Sequence, residues 1–381
     1  MKNILILSGQ IPYSVSAGNI QLLRLFREYP ADKFLVIGPP VPKEASRLSC
    51  RYESMAPPLN RLNSTRFHLW RRTARVLGLF PGNSLRQVEA LVGEFQPEVV
   101  LSLMETSDYY GLAGKYARKH RLPLYLIVHD TNEDFEKVFS FAKGLQLGKD
   151  RQIYRSAKER FCVSPEMAEF EEHRFGVPGK VLYPIPDPEI QPRPLGWSKT
   201  LRQPPHLTIG YAGSMAYGYA EEMLKSLPTL EKNGARLELC CPKPAGKVAG
   251  LLESPIVKWH GYRPSLDAIQ LLQERCDVLW LPYLNPAVEN ERLYRTHFPS
   301  KLCDYLQTGM AVWVTGPEFA TGVRWWGRQS HQPESSLEKL MKRWKEKPNS
   351  LAQDADEASR LKEKFGSKSM ETRQFFETLQ N

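Results

Sequence analysis

The run FPSKLCDYLQTGMAVWV, residues 298–314, concentrates groups that could bind an anion. Pro299 suits the first turn of a helix and Gly309 the position just past its end. Free amides at that helix start, around Phe298, Pro299 and Ser300, together with the ammonium of Lys301, would attract a phosphate. On a helix Lys301 and Asp304 share a polar face, while Leu302, Tyr305 and Leu306 face the core. The Asp304 carboxylate could accept hydrogen bonds from sugar hydroxyls. An ordinary capped helix with a weak surface Lys–Asp pair accounts for the same residues. Local physics leaves both readings open.

Three further turns carry reactive or ligand-shaped groups. LTIGYAGS (207–214) is an apolar run ending in Gly213 and Ser214, which brings a backbone amide and a hydroxyl to a place where a diphosphate could sit. VKWHGYRP (257–264) presents Gly261, Tyr262 and Arg263; the tyrosine could stack on a base while neighbouring amides read its edge. LYLIVHDTNED (124–134) runs straight into His129 and Asp130, two ionisable groups at the end of an apolar run. A loop hydrogen bond explains such a pair as readily as catalysis does. Near the start, SVSAGN (14–19) sets Gly18 and Asn19 before a helical pattern, in the manner of a tight turn or of a close backbone approach to a ligand.

Taken together, these segments resemble the retaining glycosyltransferases of family four, which have the GT-B fold. The 298–314 run is similar to the family pattern P-x-K-x-x-E-Y-x-x-x-G-x-P-V-V, with Asp304 at the ribose-binding acid and Ala311 at the usual proline. VKWHG followed by CDVLWLPY (276–283) resembles V-x-F-x-G with A-D-V-x-L-x-P, whose post-glycine residues border the base. RFCVSPEM (160–167) and VLYPIPD (181–187) continue the likeness in the family's order. The resemblance implies that His129 contacts the donor sugar and helps position the acceptor; Asp130, beside it, is a reserve candidate for a polar role near the acceptor. The likeness further implies that Lys301 steadies the departing diphosphate and that Gly18 lies in a loop approached by acceptor and donor phosphates. Three departures stand out. The family's G-R-x-x-x-x-K-G is absent after β-like residues 207–212, Thr296 replaces an earlier Glu, and Ala17 replaces one of two glycines. Lys301, Arg292 or Arg295 is then expected to supply the missing positive charge.

The elements that would position these groups follow from hydrophobic period. Apolar runs at 3–7, 33–37, 99–103, 124–128 and 160–163 read as strands, separated by helical patterns at 20–28, 87–94 and 109–119. Residues 184–205 contain seven prolines, which neither a helix interior nor a central strand accepts, and read as a linker. The alternation then resumes: strands at 207–212, 236–240, 256–259, 278–281 and 311–314, helices at 221–230, 266–273 and 300–307. Strands apolar throughout, alternating with helices, make parallel sheets covered on both faces. The expected fold is α/β, of the GT-B type, with two Rossmann-like domains facing each other across a cleft. Residues 1–183 form the acceptor-binding domain and 206–381 the donor-binding domain. The charged helical tail after 335 is either a surface helix or one that returns to the first domain.

Length and composition agree with this. A chain of 381 residues suits two cores, and 41% hydrophobic with 25% charged residues is a globular mixture. The net charge of +10 favours anionic partners. Six scattered cysteines without C-x-x-C indicate neither zinc nor a disulfide framework, and point to a reducing, cytoplasmic setting. No metal or cofactor is expected. No apolar run reaches the roughly 18 residues needed to span a bilayer. Residues 54–88 hold six arginines and no acid, with Phe67, Trp70, Ala74 and Leu77 at helical spacing. The stretch 61–86 is therefore a candidate contact with an anionic membrane surface, on the inner face, or simply a solvated basic face. Nothing matches a nucleic-acid-binding module. The expected activity is transfer of a sugar from a UDP- or GDP-sugar donor to a saccharide or lipid-linked acceptor, as in polysaccharide or glycolipid synthesis. An inactive nucleotide-sugar-binding scaffold and a nucleotide-sugar epimerase are the alternatives.

Overall fold

The computed structural model describes residues 1–15, 17–55, 83–104, 109–130, 140–193, 206–285, 291–330 and 335–381. The chain divides into two compact units, Met1–Tyr183 with Met370–Asn381, and Pro184–Ser369. Residues 61–82 of the basic stretch and residues 194–205 of the Pro-rich segment lie outside the described residues.

The first unit is built on seven parallel strands: β1 (Ile4–Leu7), β2 (Phe34–Gly38), β3 (Arg51–Ser54), β4 (Val99–Leu103), β5 (Leu124–Val128), β6 (Glu159–Cys162) and β7 (Lys180–Val181). Their order is 3-2-1-4-5-6-7. β1, β2, β4 and β5 are buried at every position, which is why each reads as an unbroken apolar run. Local signals set the helix ends. Helix Pro165–Phe175 starts where Ser164 accepts from the Met167 amide, and stops at Gly176, whose φ of 74° lets its amide reach Glu172 O. The last helix, Met370–Gln380, packs on this sheet. Phe375 is fully buried, its ring edge-on to Phe26 and Phe161, and the Tyr125 hydroxyl donates to Thr378 O at 2.9 Å.

The second unit holds β8 (Leu207–Ala212), β9 (Ala235–Cys240), β10 (Val257–Trp259), β11 (Val278–Pro282) and β12 (Ala311–Thr315), parallel, in the order 10-9-8-11-12. Its core contains three fully buried tryptophans, Trp280, Trp313 and Trp344. Two of them have indole acceptors in place: Trp280 donates to Thr315 Oγ1 at 2.8 Å and Trp313 to Asp354 Oδ2 at 3.0 Å. Asp354 is buried beside Arg343, its counter-charge, at 2.5 Å. The described part of the Pro-rich segment, 184–193, packs on this unit. The Arg193 amide donates to Thr308 O at 2.9 Å, its guanidinium to Cys276 O at 2.6 Å, and Gln273 donates to Gln191 O at 2.8 Å.

In each sheet the strand order reverses direction beside the first strand, between β1 and β4 and between β8 and β11. Ligands of open α/β sheets bind beyond the carboxyl ends of the strands at such a point. Among the described residues no helix is long and apolar enough to cross a membrane.

Candidate functional site

In the second unit the turn after β8 meets the start of helix Ser300–Gln307. Gly213 has φ +118°, a conformation that L side chains rarely adopt, and a β-carbon there would lie 2.5 Å from Lys301 Cε. The missing side chain is what admits the lysine. Tyr305 fixes the same turn from below: the Ala212 amide donates to its hydroxyl at 2.9 Å, and the hydroxyl approaches Ala212 O at 3.3 Å. The Gly213 amide is held by Cys240 O at 2.9 Å, the Tyr211 hydroxyl donates to Ser214 O, and Ser214 Oγ accepts from the Ala216 amide at 3.1 Å. The Ser214 hydroxyl thus braces its own turn.

Lys301 Nζ lies 4.8 Å from the centre of the Tyr219 ring and 5.7 Å from that of Tyr211. The residue keeps partial exposure, but the ammonium sits among aromatic faces that favour a cation. Burial lowers its pKa to about 8, and Asp304 opposes the fall. A lysine in this state is cationic below pH 8 and gains most from an incoming phosphate. Helix Ser300–Gln307 has no side-chain cap at its N-terminus. Pro299 is the residue before the helix, at φ −76° and ψ 111°, one position earlier than the sequence pattern implies.

Asp304 is not the surface partner of Lys301 that helical spacing implies. It is 8% exposed. Its Oδ1 accepts from the Asp187 amide at 2.9 Å and its Oδ2 from the Ser265 hydroxyl at 3.4 Å. The cause is residues 184–193 and the start of helix Ser265–Arg275, which cover that flank. The Phe298 ring is buried in an aromatic cluster with Trp325 and Phe365, at centroid distances of 5.7 and 5.6 Å, which sets the position of the helix start.

Gly261, Tyr262 and Arg263 follow β10. Gly261 has φ +81°, and Tyr262 is 71% exposed, as a stacking surface must be. The turn is anchored by Glu238, which receives His260 Nε2 at 2.7 Å and Arg275 Nε at 2.6 Å. Burial pushes this carboxylate up, but the hydrogen bonds from Arg275 and His260 outweigh it and leave the pKa lowered. Arg295, a candidate phosphate contact, pairs with Glu291 at 2.8 Å and covers the Phe319 ring at 4.5 Å. Thr296 is buried, with its hydroxyl donating to Arg292 O at 3.1 Å.

His129, Asp130, Gly18 and Asn19 belong to the first unit. His129 is half-buried directly after β5, and Asp130 is exposed. Asn19 organises the turn after β1: its Oδ1 accepts from the Ile11 amide and its Nδ2 donates to Val15 O, both at 2.8 Å. Gly18 lies under the Gln10 side chain, whose Oε1 would be 1.5 Å from an added β-carbon.

Sequence reasoning missed the two rings that face the lysine, Tyr211 and Tyr219, and the rings packed behind Tyr219, those of Tyr283 and Tyr294. Tyr211 and Tyr283 lie inside the 207–214 and 276–283 segments, but nothing there marks a ring as a neighbour of Lys301. Among the described residues no group of three or more His, Cys, Asp or Glu could hold a metal ion.

No protein-family model matches the sequence, and no curated protein is significantly similar to it. Solved structures are similar over both units. Sucrose-phosphate synthase from Thermosynechococcus elongatus matches with a TM-score of 0.67 at 12% identity, over 99% of this chain and 98% of that one. A glycosyltransferase from Rickettsia africae matches with 0.60 at 11%, over 99% and 97%. UGT2 from Phytolacca americana, complexed with UDP-2fluoro-glucose and pterostilbene, matches with 0.54 at 12%, over 99% and 98%. At such identities the likeness speaks for the fold. The two parallel α/β units of this chain have the GT-B glycosyltransferase fold.

Proposed function

We propose that the chain transfers a sugar from a nucleotide-diphosphate sugar to a saccharide or lipid-linked acceptor. The observation that carries this reading is Lys301, held by Gly213 at the point where the second sheet reverses its strand order. A diphosphate there would meet an ammonium and the open amides of a helix start, both fixed before it arrives. Charge that builds on the leaving diphosphate would then be stabilised without reorganisation of the site. Tyr262 would stack on the base and Asp304 would accept from the ribose. His129 would orient the donor sugar, with Asp130 near the acceptor. Retention of configuration and independence of metal belong to the same proposal, as does the choice between UDP and GDP. Support for metal independence is the positive charge that Lys301 already provides.

An inactive nucleotide-sugar-binding protein is the second reading. It is favoured by the Thr296 hydroxyl, turned back to Arg292 O where the family carries a Glu. The two are separated by incubating the protein with UDP- and GDP-sugars in chelator, with and without saccharide acceptors. Acceptor-dependent release of nucleoside diphosphate supports transfer, whereas nucleotide binding without release supports the scaffold.

A further inference from the structure

The turn between β8 and helix Tyr219–Lys232 contains a strained tyrosine. Tyr217 has φ +63°, and among the described residues only Arg121 is another non-glycine at positive φ. A bulky residue rarely adopts this conformation; Gly218, next in the chain at φ +80°, does so freely. The conformation is enforced from two sides. The Tyr294 hydroxyl donates to Tyr217 O and accepts from the Leu284 amide at 3.0 Å, which ties the turn after β8 to the turn after β11. A β-carbon on Gly218 would lie 2.7 Å from Leu284 Cβ and 2.9 Å from the Tyr294 hydroxyl, so the backbone there cannot move inward.

This strain does not serve burial. Tyr217 is 50% exposed, whereas its neighbours Tyr211, Tyr219, Tyr283 and Tyr294 are buried. Its ring meets the Tyr219 ring edge-on at 6.5 Å, and Tyr219 is the ring 4.8 Å from Lys301 Nζ. The exposed aromatic therefore adjoins the ring that faces the cation. Thr296, the position at which the family resemblance leads one to seek a sugar contact, is buried with its hydroxyl bonded to Arg292 O.

We propose that Tyr217 is a specificity residue that packs its ring and hydroxyl on the hexose portion of the donor, and that the Tyr294 clamp holds it there. An aromatic face suits the C–H face of a pyranose, and the phenol adds one hydrogen bond to a sugar hydroxyl. The inference rests on the proposed donor site and concerns only its sugar end.

The test compares nucleoside diphosphate with the matching nucleotide-sugar by calorimetric titration on the full chain, for wild type, Tyr217→Gly and Tyr217→Phe. Glycine should relieve the strain, so Y217G should melt no lower than wild type. It should bind the nucleoside diphosphate within about twofold of wild type, yet bind the nucleotide-sugar on the order of tenfold more weakly. Y217F should fall between them. Unchanged nucleotide-sugar affinity in Y217G, with nucleoside diphosphate still bound, would overturn the role of Tyr217 and leave the donor site standing. Equal weakening of both ligands would overturn it too, because the residue would then serve the diphosphate. Failure of wild type to bind any nucleoside diphosphate would remove the donor site itself.

Discussion

Lys301 Cε occupies the space that a side chain on Gly213 would need, 2.5 Å from the position of its β-carbon. Two residues far apart in sequence are thereby locked into one structure, a glycine turn with an ammonium threaded over it. Substitution Gly213→Ala should break it twice, through the φ of +118° and through the clash. The expected loss of stability is about 1–3 kcal/mol, with nucleoside diphosphate binding weakened at least about tenfold. Denaturant unfolding and titration of the variant check both. A variant with unimpaired nucleotide binding would show that the turn is structural.

The lysine also predicts a pH dependence. In the unfolded chain Lys301 keeps an ordinary pKa of 10.5, whereas in the folded chain it titrates at about 8. Between these values the unfolded state binds more protons, so this group makes stability rise with pH from about 8 to 10.5. Below pH 8 the full penalty applies, on the order of 3 kcal/mol for a shift of this size. Lys301→Met should therefore melt above wild type at pH 7, and the gap should close as pH approaches 10. Burial raises the buried tyrosines and cysteines above their ordinary values, so their unfolded-state titration adds a stability change of opposite sign near the same window, and the variant-minus-wild-type difference is the quantity to follow. Nucleoside diphosphate affinity of the wild type should fall as pH passes 8, where the ammonium is lost. A pH-independent gap would contradict the assignment.

Asp304 has two jobs that substitution can separate. Asp304→Asn keeps an oxygen for the Asp187 amide, so stability should stay within about 1 kcal/mol of wild type, while a neutral amide should bind a ribose hydroxyl more weakly. Asp304→Ala removes both and leaves the Asp187 amide without its acceptor, costing about 1–3 kcal/mol. Nucleotide titrations beside melting curves distinguish the cases. If the Asn variant binds nucleotide like wild type, the carboxylate acts on the 184–193 segment alone.

The terminal helix should matter to the first unit. Phe375 is fully buried against Phe26 and Phe161. Phe375→Ala should cost about 3–5 kcal/mol, seen as earlier loss of the first unit in denaturant unfolding. A change below about 1 kcal/mol would mean that the helix is only loosely attached.

How much of this was legible in the sequence depends on burial. The strands covered on both faces, β1, β4, β5, β8, β11 and β12, announce themselves as apolar runs, and their bounds match the sequence reading to about one residue. β3, with the sequence RYES, and the two-residue β7 lie at sheet edges, where half-exposed polar strands carry no such pattern. Helix Ser300–Gln307 could be read from its proline, glycine and apolar spacing. The burial of Asp304 could not, because the covering residues 184–193 read as a proline-rich connector and gave no sign of docking. The pairing of Lys301 with Gly213 is likewise invisible to local patterns: it arises from the strand order, which places the end of β8 beside that helix. The strain at Tyr217 has no sequence signature either, since nothing in the run from Ser214 to Gly218 marks which residue must turn left-handed.

The most direct test of the account is the melting temperature of wild type and Lys301→Met at pH 7 in EDTA, with a panel of nucleoside diphosphates. A ligand at 100 times its dissociation constant adds about 2.7 kcal/mol, a shift of several degrees for a unit of this size. A selective upward shift of the wild type with UDP or GDP is expected, with loss of most of that shift in K301M despite its intact fold. No shift with any nucleotide, in chelator and with added divalent metal alike, would contradict the donor site at Gly213 and Lys301.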